Sequence, residues 1–147
     1  MNNGPGTYVL VLHSRANVDI EVGHWGRLRV EPGYYAYVGS AFGPGGLRAR
    51  LARHFRREKK NHWHVDYLRE VTEPVAAWCL HASVRLEHRW AKALGRRQGI
   101  ACIAGFGSSD CCCDGHLFAM LRGHNAAAIH HVLAEACPEG SLNDVTH

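Results

Sequence analysis

Gly33-Tyr34-Tyr35-Ala36-Tyr37-Val38-Gly39-Ser40-Ala41-Phe42-Gly43-Pro44-Gly45-Gly46-Leu47-Arg48-Ala49-Arg50-Leu51-Ala52-Arg53-His54-Phe55 reads as an aromatic strand, a glycine-rich turn and a basic helix. In the strand, Tyr35 and Tyr37 share one face while Tyr34 and Ala36 share the other. The glycines from Gly39 to Gly46 permit a tight turn and close backbone approach. Leu47, Leu51 and Phe55 recur every four residues and form the buried stripe of a helix expected from Leu47 to about Lys59. Arg50 and His54 are also four apart and stack at the edge of that stripe. Arg53 and Arg57 lie further round, toward solvent. A tyrosine, an arginine and a histidine thus gather beside a cationic face, a grouping suited to chemistry on a phosphodiester.

Upstream, Thr7–His13 is rich in β-formers and reads as a buried strand. Val18–Val22 and Gly26–Val30 read as two short strands joined at Gly23-His24-Trp25. An antiparallel meander is the simplest arrangement of this first third. Downstream, the sequence predicts a short helix over His62–Leu68 and a strand over Val75–His81. It predicts a helix capped by Ser83 and running to about Leu94, a loop over Gly105–Ser109 and a last strand over His116–Leu121. Asn125–Cys137 reads as a helix, and Pro138–His147 as a frayed end. The fold class is α+β, a small central antiparallel sheet flanked by helices. Residues 1–122 form the main domain, and 123–147 a C-terminal helix and tail.

The 147 residues suit one compact domain, and 46% hydrophobic content supports a core without disulfides. No apolar run is long enough to span a membrane, and the N-terminus lacks the basic and apolar regions of a signal peptide. A cytoplasmic protein that does not engage a membrane is therefore expected. Net charge is +4. Residues 48–60 hold Arg48, Arg50, Arg53, Arg56, Arg57, Lys59 and Lys60 against Glu58, a local balance of +6 that leaves −2 elsewhere. Such a patch is either a solvated helix face or an attractor of polyanions. Six cysteines, three of them consecutive, fit no disulfide pattern. Cys111, Cys113 and His116 suggest a zinc site with Cys102 or Cys79 as a fourth ligand, although the spacing also suits a packed, metal-free role. A cysteine nucleophile paired with His116 and Asp110 is a weaker reading.

Glu87 sits in the middle of the apolar arc of Trp90, Ala91 and Leu94 on its predicted helix. A carboxylate facing the core forms a structural ion pair or holds a cation. A hard ion such as Mg²⁺ takes one protein carboxylate, several waters and phosphate oxygens. His62, His64 and Asp66 form a second polar group that either lines a cleft or shapes the fold through buried hydrogen bonds.

Together these motifs resemble a known family. Gly6-Thr7-Tyr8 and Tyr37-Val38-Gly39 are similar to the two signature tripeptides of the GIY-YIG nuclease superfamily, and Leu47–Phe55 is similar to its first helix. In that resemblance Arg50 falls at the catalytic arginine, His54 at the histidine or tyrosine one turn later, and Glu87 at the metal-binding glutamate. The likeness covers residues 6–95 in order and type. It is greatest to the small stand-alone members called the Uri type. These share the segments His62-Trp63-His64-Val65-Asp66-Tyr67-Leu68 and Gly105-Phe106-Gly107-Ser108-Ser109-Asp110-Cys111-Cys112-Cys113-Asp114-Gly115-His116-Leu117, extending the match to residue 121. Two departures stand. The spacer between the signature tripeptides is long, which fits a hairpin inserted between the signature strands around Trp25. The superfamily's asparagine after the glutamate has no match, and Ser108, Ser109 and Asp110 occupy that region.

The resemblance implies a GIY-YIG-type endonuclease that hydrolyses DNA with one Mg²⁺ or Mn²⁺ held by Glu87. Tyr8 or Tyr37 would take the proton of the attacking water. Because a free tyrosine side chain ionises only at about pH 10, Arg50 and the metal must tune it and stabilise the developing charge. Arg48, Arg53, Arg57, Lys59, Lys60, His62 and His64 are the expected nucleic-acid contacts, and a protein partner is expected to supply targeting. The rival expectations are a non-catalytic nucleic-acid-binding module with the same fold and a zinc-stabilised interaction protein.

Overall fold

The computed structural model describes residues 3–23, 25–56, 63–106, 115–120, 126–136 and 142–144. Arg57, Lys59, Lys60, His62, Cys111 and Cys113 lie outside these described residues.

The chain opens with β1 (Gly6–Ser14), β2 (Val18–Val22), β3 (Gly26–Val30) and β4 (Gly33–Ala41). β1 pairs antiparallel with β4 along its whole length, from Gly6 opposite Ala41 to Ser14 opposite Gly33. This pairing corrects the expected meander. With β1 and β4 side by side, β2 and β3 are excluded from the central sheet and form a two-stranded hairpin of their own. The hairpin's strands alternate. Asp19 pairs with Arg29 and Glu21 with Arg27 on the exposed side, while Val22, Leu28 and Val30 are buried in the core.

After β4 come α1 (Gly46–Phe55), α2 (His64–Leu68), β5 (Thr72–His81), α3 (Glu87–Arg96), β6 (Ile100–Ile103), β7 (Leu117–Met120), α4 (Ala126–Ala136) and β8 (Asn143–Asp144). The central sheet has the order β6-β7-β4-β1-β5-β8, and every pairing in it is antiparallel. The fold is therefore α+β. β5 begins earlier than Val75 and runs through Pro74, which stands opposite Leu12 where the register with β1 shifts. A bulge tolerates the missing N–H of proline. β6 was not expected, and β8 forms where a frayed end was expected.

The sheet is covered on both faces, so β1 is a continuous buried run rather than an alternating one. On one face Tyr8, Leu10, Leu12 and Tyr35 meet Leu47 and Leu51 of α1, Val65 and Leu68 of α2, and the inner side of the hairpin. On the other, Val9, Val11, Ala36 and Val38 meet Trp90 and Leu94 of α3 with Ile129 and Leu133 of α4. Residues 123–147 thus contribute α4 to the second layer and β8 to the edge of the sheet. No helix among the described residues is long and apolar enough to cross a membrane.

Two helix boundaries differ from expectation. α1 ends at Phe55, where Arg56 turns to an extended backbone. α3 starts at Glu87 rather than near Ser83 and has no side-chain cap; the residue before it is anchored instead, the backbone N–H of Leu86 donating to Thr7 Oγ1 on β1 at 3.0 Å. The first turn of α3 is thereby pinned to the strand that carries Tyr8.

Candidate active site

Tyr8 and Tyr37 point to the face of the sheet covered by α1. Tyr8 is fully buried and stands opposite Gly39. A Cβ on Gly39 would lie 2.5 Å from Tyr8 Cζ, so only glycine leaves room for the phenol ring. Gly6 is under a similar constraint, since a Cβ there would meet the Leu80 carbonyl of β5 and lie 2.6 Å from Leu47 Cδ1. The outer glycines of both signature tripeptides are therefore set by close packing, Gly39 against Tyr8 and Gly6 against β5 and α1.

α1 delivers the next two groups. His54, buried without exposure, places Nε2 2.6 Å from Tyr8 Oη. The Tyr37 ring lies edge-on to His54 at 6.0 Å and 6.4 Å from the Tyr8 ring. Arg50, one turn earlier, donates from Nη1 to the Ser40 carbonyl at 3.0 Å and lies over the Trp63 ring at 4.2 Å. Arg53 also lies over Trp63, at 4.5 Å, and pairs with buried Asp66 at 2.7 Å. Asp66 in turn accepts the Trp63 backbone N–H at 2.9 Å. The expectation that Arg53 turns to solvent is thus corrected: α2 brings a carboxylate under it and draws the guanidinium down.

Glu87 opens α3 at the rim of the buried face, its side chain 13% exposed. Arg85 lies 3.6 Å away and His116 Nδ1 4.0 Å away. The charge of the carboxylate reaches the tyrosines. Burial first, then Tyr37, pushes the Tyr8 phenol well above the usual tyrosine value; Arg50 pulls it down and Glu87 adds to the rise. Burial also pushes Tyr37 up to about 12, against Arg50 and with Glu87 and Asp66. Both phenols thus feel the same guanidinium and the same carboxylate, and both are neutral at rest. Tyr8, Tyr37 and His54 pack together, Arg50 stands one turn before His54 on α1, and the charge of Glu87 acts on both phenols.

Other expected contacts fall elsewhere. Arg48 is exposed on the outer side of α1. His64 packs edge-on against Phe106 at 5.4 Å, and burial lowers its pKa. His116 is buried, its pKa lowered by burial against the pull of Glu87. Cys79 cannot complete a zinc site with His116. It lies on β5, three strand spacings or about 14 Å across the sheet from β7. Cys102 is exposed on β6. Among the described residues no three His, Cys, Asp or Glu side chains cluster to hold a metal.

Two participants escaped the sequence reading. Thr7, inside the first tripeptide, anchors the helix that begins with Glu87. Trp63, flanked by the histidines that drew attention, is the surface on which Arg50 and Arg53 stack. An aromatic residue just after a basic helix was the available signal for it. Beside these residues an open pocket of about 280 Å³ is lined by Arg50, Arg53, Arg56 and Trp63 together with the glycine-rich turn before α1.

A family model described as a domain of unknown function, DUF123, matches residues 7–137. The chain belongs to the DUF123 family. The match runs from β1 through α4, so the DUF123 domain includes every residue of the group around Tyr8. No curated protein and no solved structure matches this DUF123 chain.

Proposed function

We propose that this protein is a metal-dependent phosphodiester hydrolase acting on DNA by a GIY-YIG-type mechanism. One observation carries the reading. Tyr8 on β1, Tyr37 on β4 and His54 on α1 pack together with Arg50 one turn before His54, and the charges of Arg50 and of Glu87 at the start of α3 act on both phenols. A buried sheet has no structural need for two phenols, an imidazole, a guanidinium and a carboxylate together.

In this reading Tyr8 acts as a proton relay rather than as a resting phenolate, since its burial holds it neutral. It passes its proton to His54 Nε2 across the 2.6 Å hydrogen bond while it takes one from the attacking water. Tyr37 borders the same space with its ring edge-on to His54 and is the weaker candidate. Arg50, held by the Ser40 carbonyl and by Trp63, presents a fixed positive charge toward the developing phosphorane. Glu87 fits a hard divalent cation. It is a single, mostly buried carboxylate whose negative charge raises both phenols, and a cation there would offset that charge. Mg²⁺ or Mn²⁺ bound at Glu87 would supply charge neutralisation of the phosphate and polarisation of an oxygen ligand. Thr7 holds Glu87 in place through Leu86. The pocket beside Arg50 and the exposed Arg48 and Arg56 carry positive charge for the nucleic-acid backbone.

A non-catalytic nucleic-acid-binding module is the second reading. It is favoured by Arg85, which already stands 3.6 Å from Glu87 and would compete with a cation. Incubation of supercoiled and branched DNA with the protein, in Mg²⁺ or Mn²⁺ and in chelator, separates the two. Hydrolysis requires cleavage that depends on the metal and disappears in Glu87→Gln and Arg50→Ala. Salt-sensitive binding without cleavage, indifferent to Glu87→Gln, would instead establish the binding module.

A further inference from the structure

At the start of α3, Glu87 Oε2 and His116 Nδ1 face each other across 4.0 Å. That gap is too wide for a hydrogen bond, but two metal–ligand bonds of about 2.1 Å each span it. Both side chains are largely withdrawn from water, His116 almost wholly. Both also sit on backbone that neighbouring strands hold. The His116 N–H donates to the Phe106 carbonyl at 2.8 Å, and the His116 carbonyl accepts the Val38 N–H of β4 at 3.0 Å. Glu87 follows Leu86, whose N–H is bonded to Thr7 on β1. Since β1 and β4 are paired neighbours, one sheet fixes the carboxylate and the imidazole relative to each other. Arg85 approaches the other carboxylate oxygen, Oε1, at 3.6 Å; it is half-exposed and lies over the Phe42 ring at 4.7 Å. Ser40 supplies a second observation. It stands opposite Thr7, so its side chain shares the face of the sheet that carries Thr7 Oγ1 and the start of α3. Its hydroxyl is buried and, among the described residues, has no hydrogen-bond partner. Buried hydroxyls are ordinarily satisfied, and a water in the shell of an ion at Glu87 would satisfy this one.

We infer that His116 is a second protein ligand, beside Glu87, for the divalent cation, and that its nitrogen makes the site favour a first-row transition ion over Mg²⁺. Two protein ligands leave the other positions of a six-coordinate ion to water and to phosphate oxygens. Mg²⁺ seeks oxygen, whereas an imidazole suits transition ions. Mn²⁺ binds most weakly of the common divalent ions of that series, so a preference for Mn²⁺ over Mg²⁺ is the stringent form of the claim. The partner of His116 is thus a carboxylate and not a cysteine. What the ion does rests on the hydrolase reading; that it binds between Glu87 and His116 is tested without cleavage.

The full-length protein, without nucleic acid, is titrated with Mn²⁺ and followed by electron paramagnetic resonance, with Mg²⁺ then added as competitor. Mn²⁺ is expected to bind with spin-echo modulation from a directly bound nitrogen, and to yield to Mg²⁺ only at about tenfold excess or more. His116→Phe is expected to remove the modulation and to weaken Mn²⁺ binding by about tenfold, while Mg²⁺ binding stays within a few-fold. His88→Gln is the control, because His88 is exposed with its ring 6.3 Å from that of His116; it should keep the modulation. The modulation is read on the wild type, and its loss in Glu87→Gln ties it to this site should His116→Phe not fold. No Mn²⁺ binding, modulation that survives His116→Phe or Glu87→Gln, or equal affinity for the two ions would overturn the inference. Mn²⁺ bound without nitrogen modulation would overturn it too, and would leave the hydrolase reading standing on Glu87 alone. Nitrogen-bound Mn²⁺ in a protein that never cuts DNA would uphold the inference while sinking the hydrolase reading.

Discussion

Replacing Gly39 with alanine drives a methyl group into the ring of Tyr8. The added Cβ would lie 2.5 Å from Cζ and 3.0 Å from Cε1, and closer still to the hydroxyl oxygen. Tyr8 has nowhere to go, being fully buried and tied to His54 at 2.6 Å. Overpacking of this kind costs about 1–3 kcal/mol. If the ring swings away, the buried Tyr8–His54 hydrogen bond breaks as well, for about 1–3 kcal/mol more. The total of about 2–6 kcal/mol is a large share of a typical stability of about 5–15 kcal/mol. For a chain of this length it lowers Tm by roughly 6–24 °C. Urea and thermal unfolding of Gly39→Ala measure it directly. Gly43→Ala is the control, because a Cβ at Gly43 meets nothing within 4 Å, and it should be close to neutral. Tyr8→Phe removes the hydroxyl part of the clash, so the cycle of Tyr8→Phe with Gly39→Ala should show a coupling of about 1 kcal/mol. A Gly39→Ala protein within about 0.5 kcal/mol of wild type, or a strictly additive cycle, would refute the packing of Tyr8 against this strand.

Thr7→Val removes the acceptor for the Leu86 N–H and should destabilise the protein by about 1–2 kcal/mol in urea titration; it should also weaken Mn²⁺ binding measured by calorimetry, because Glu87 follows directly on that anchor. Tyrosine ionisation followed at 295 nm should show Tyr37 titrating at about 12, and Glu87→Gln should lower that value by removing a negative charge. Since the folded value lies above the unfolded value of about 10, the contribution of Tyr37 to stability is fully present below pH 10 and is lost as pH rises from about 10 through 12. Arg53→Ala strips buried Asp66 of its guanidinium and should cost about 2 kcal/mol in chemical unfolding, and Asp66→Asn in the same chain should recover part of that loss.

Local patterns made some of this molecule legible from its sequence, and long-range contacts account for the rest. The bounds of β2 and β3 follow from alternation across a glycine turn. That the pair forms a separate sheet depends on β1 meeting β4, which no local pattern encodes. The start of α3 differs from the one Ser83 suggests because the residue before it, Leu86, is anchored by Thr7, 79 residues away. Arg53 was assigned to solvent by helical geometry alone, and Asp66 on the next helix reverses that. β6 and β8 are short edge strands whose existence depends on a neighbour to pair with. The closeness of Tyr8, Tyr37, Arg50 and His54 was legible because each sits in a short motif, whereas Glu87 stood out by its place on a helical arc. Trp63 and Thr7 were not, because their roles are to hold other side chains.

The most direct measurement is single-turnover cleavage of a 5′-phosphorylated DNA substrate in Mn²⁺ by the wild type, Tyr8→Phe, Arg50→Ala and Glu87→Gln, with binding measured in parallel. The account predicts that each substitution lowers the cleavage rate by at least about a hundredfold, while Tyr8→Phe and Glu87→Gln bind DNA within a few-fold of wild type. Cleavage that proceeds at the wild-type rate in Glu87→Gln or Tyr8→Phe would contradict it.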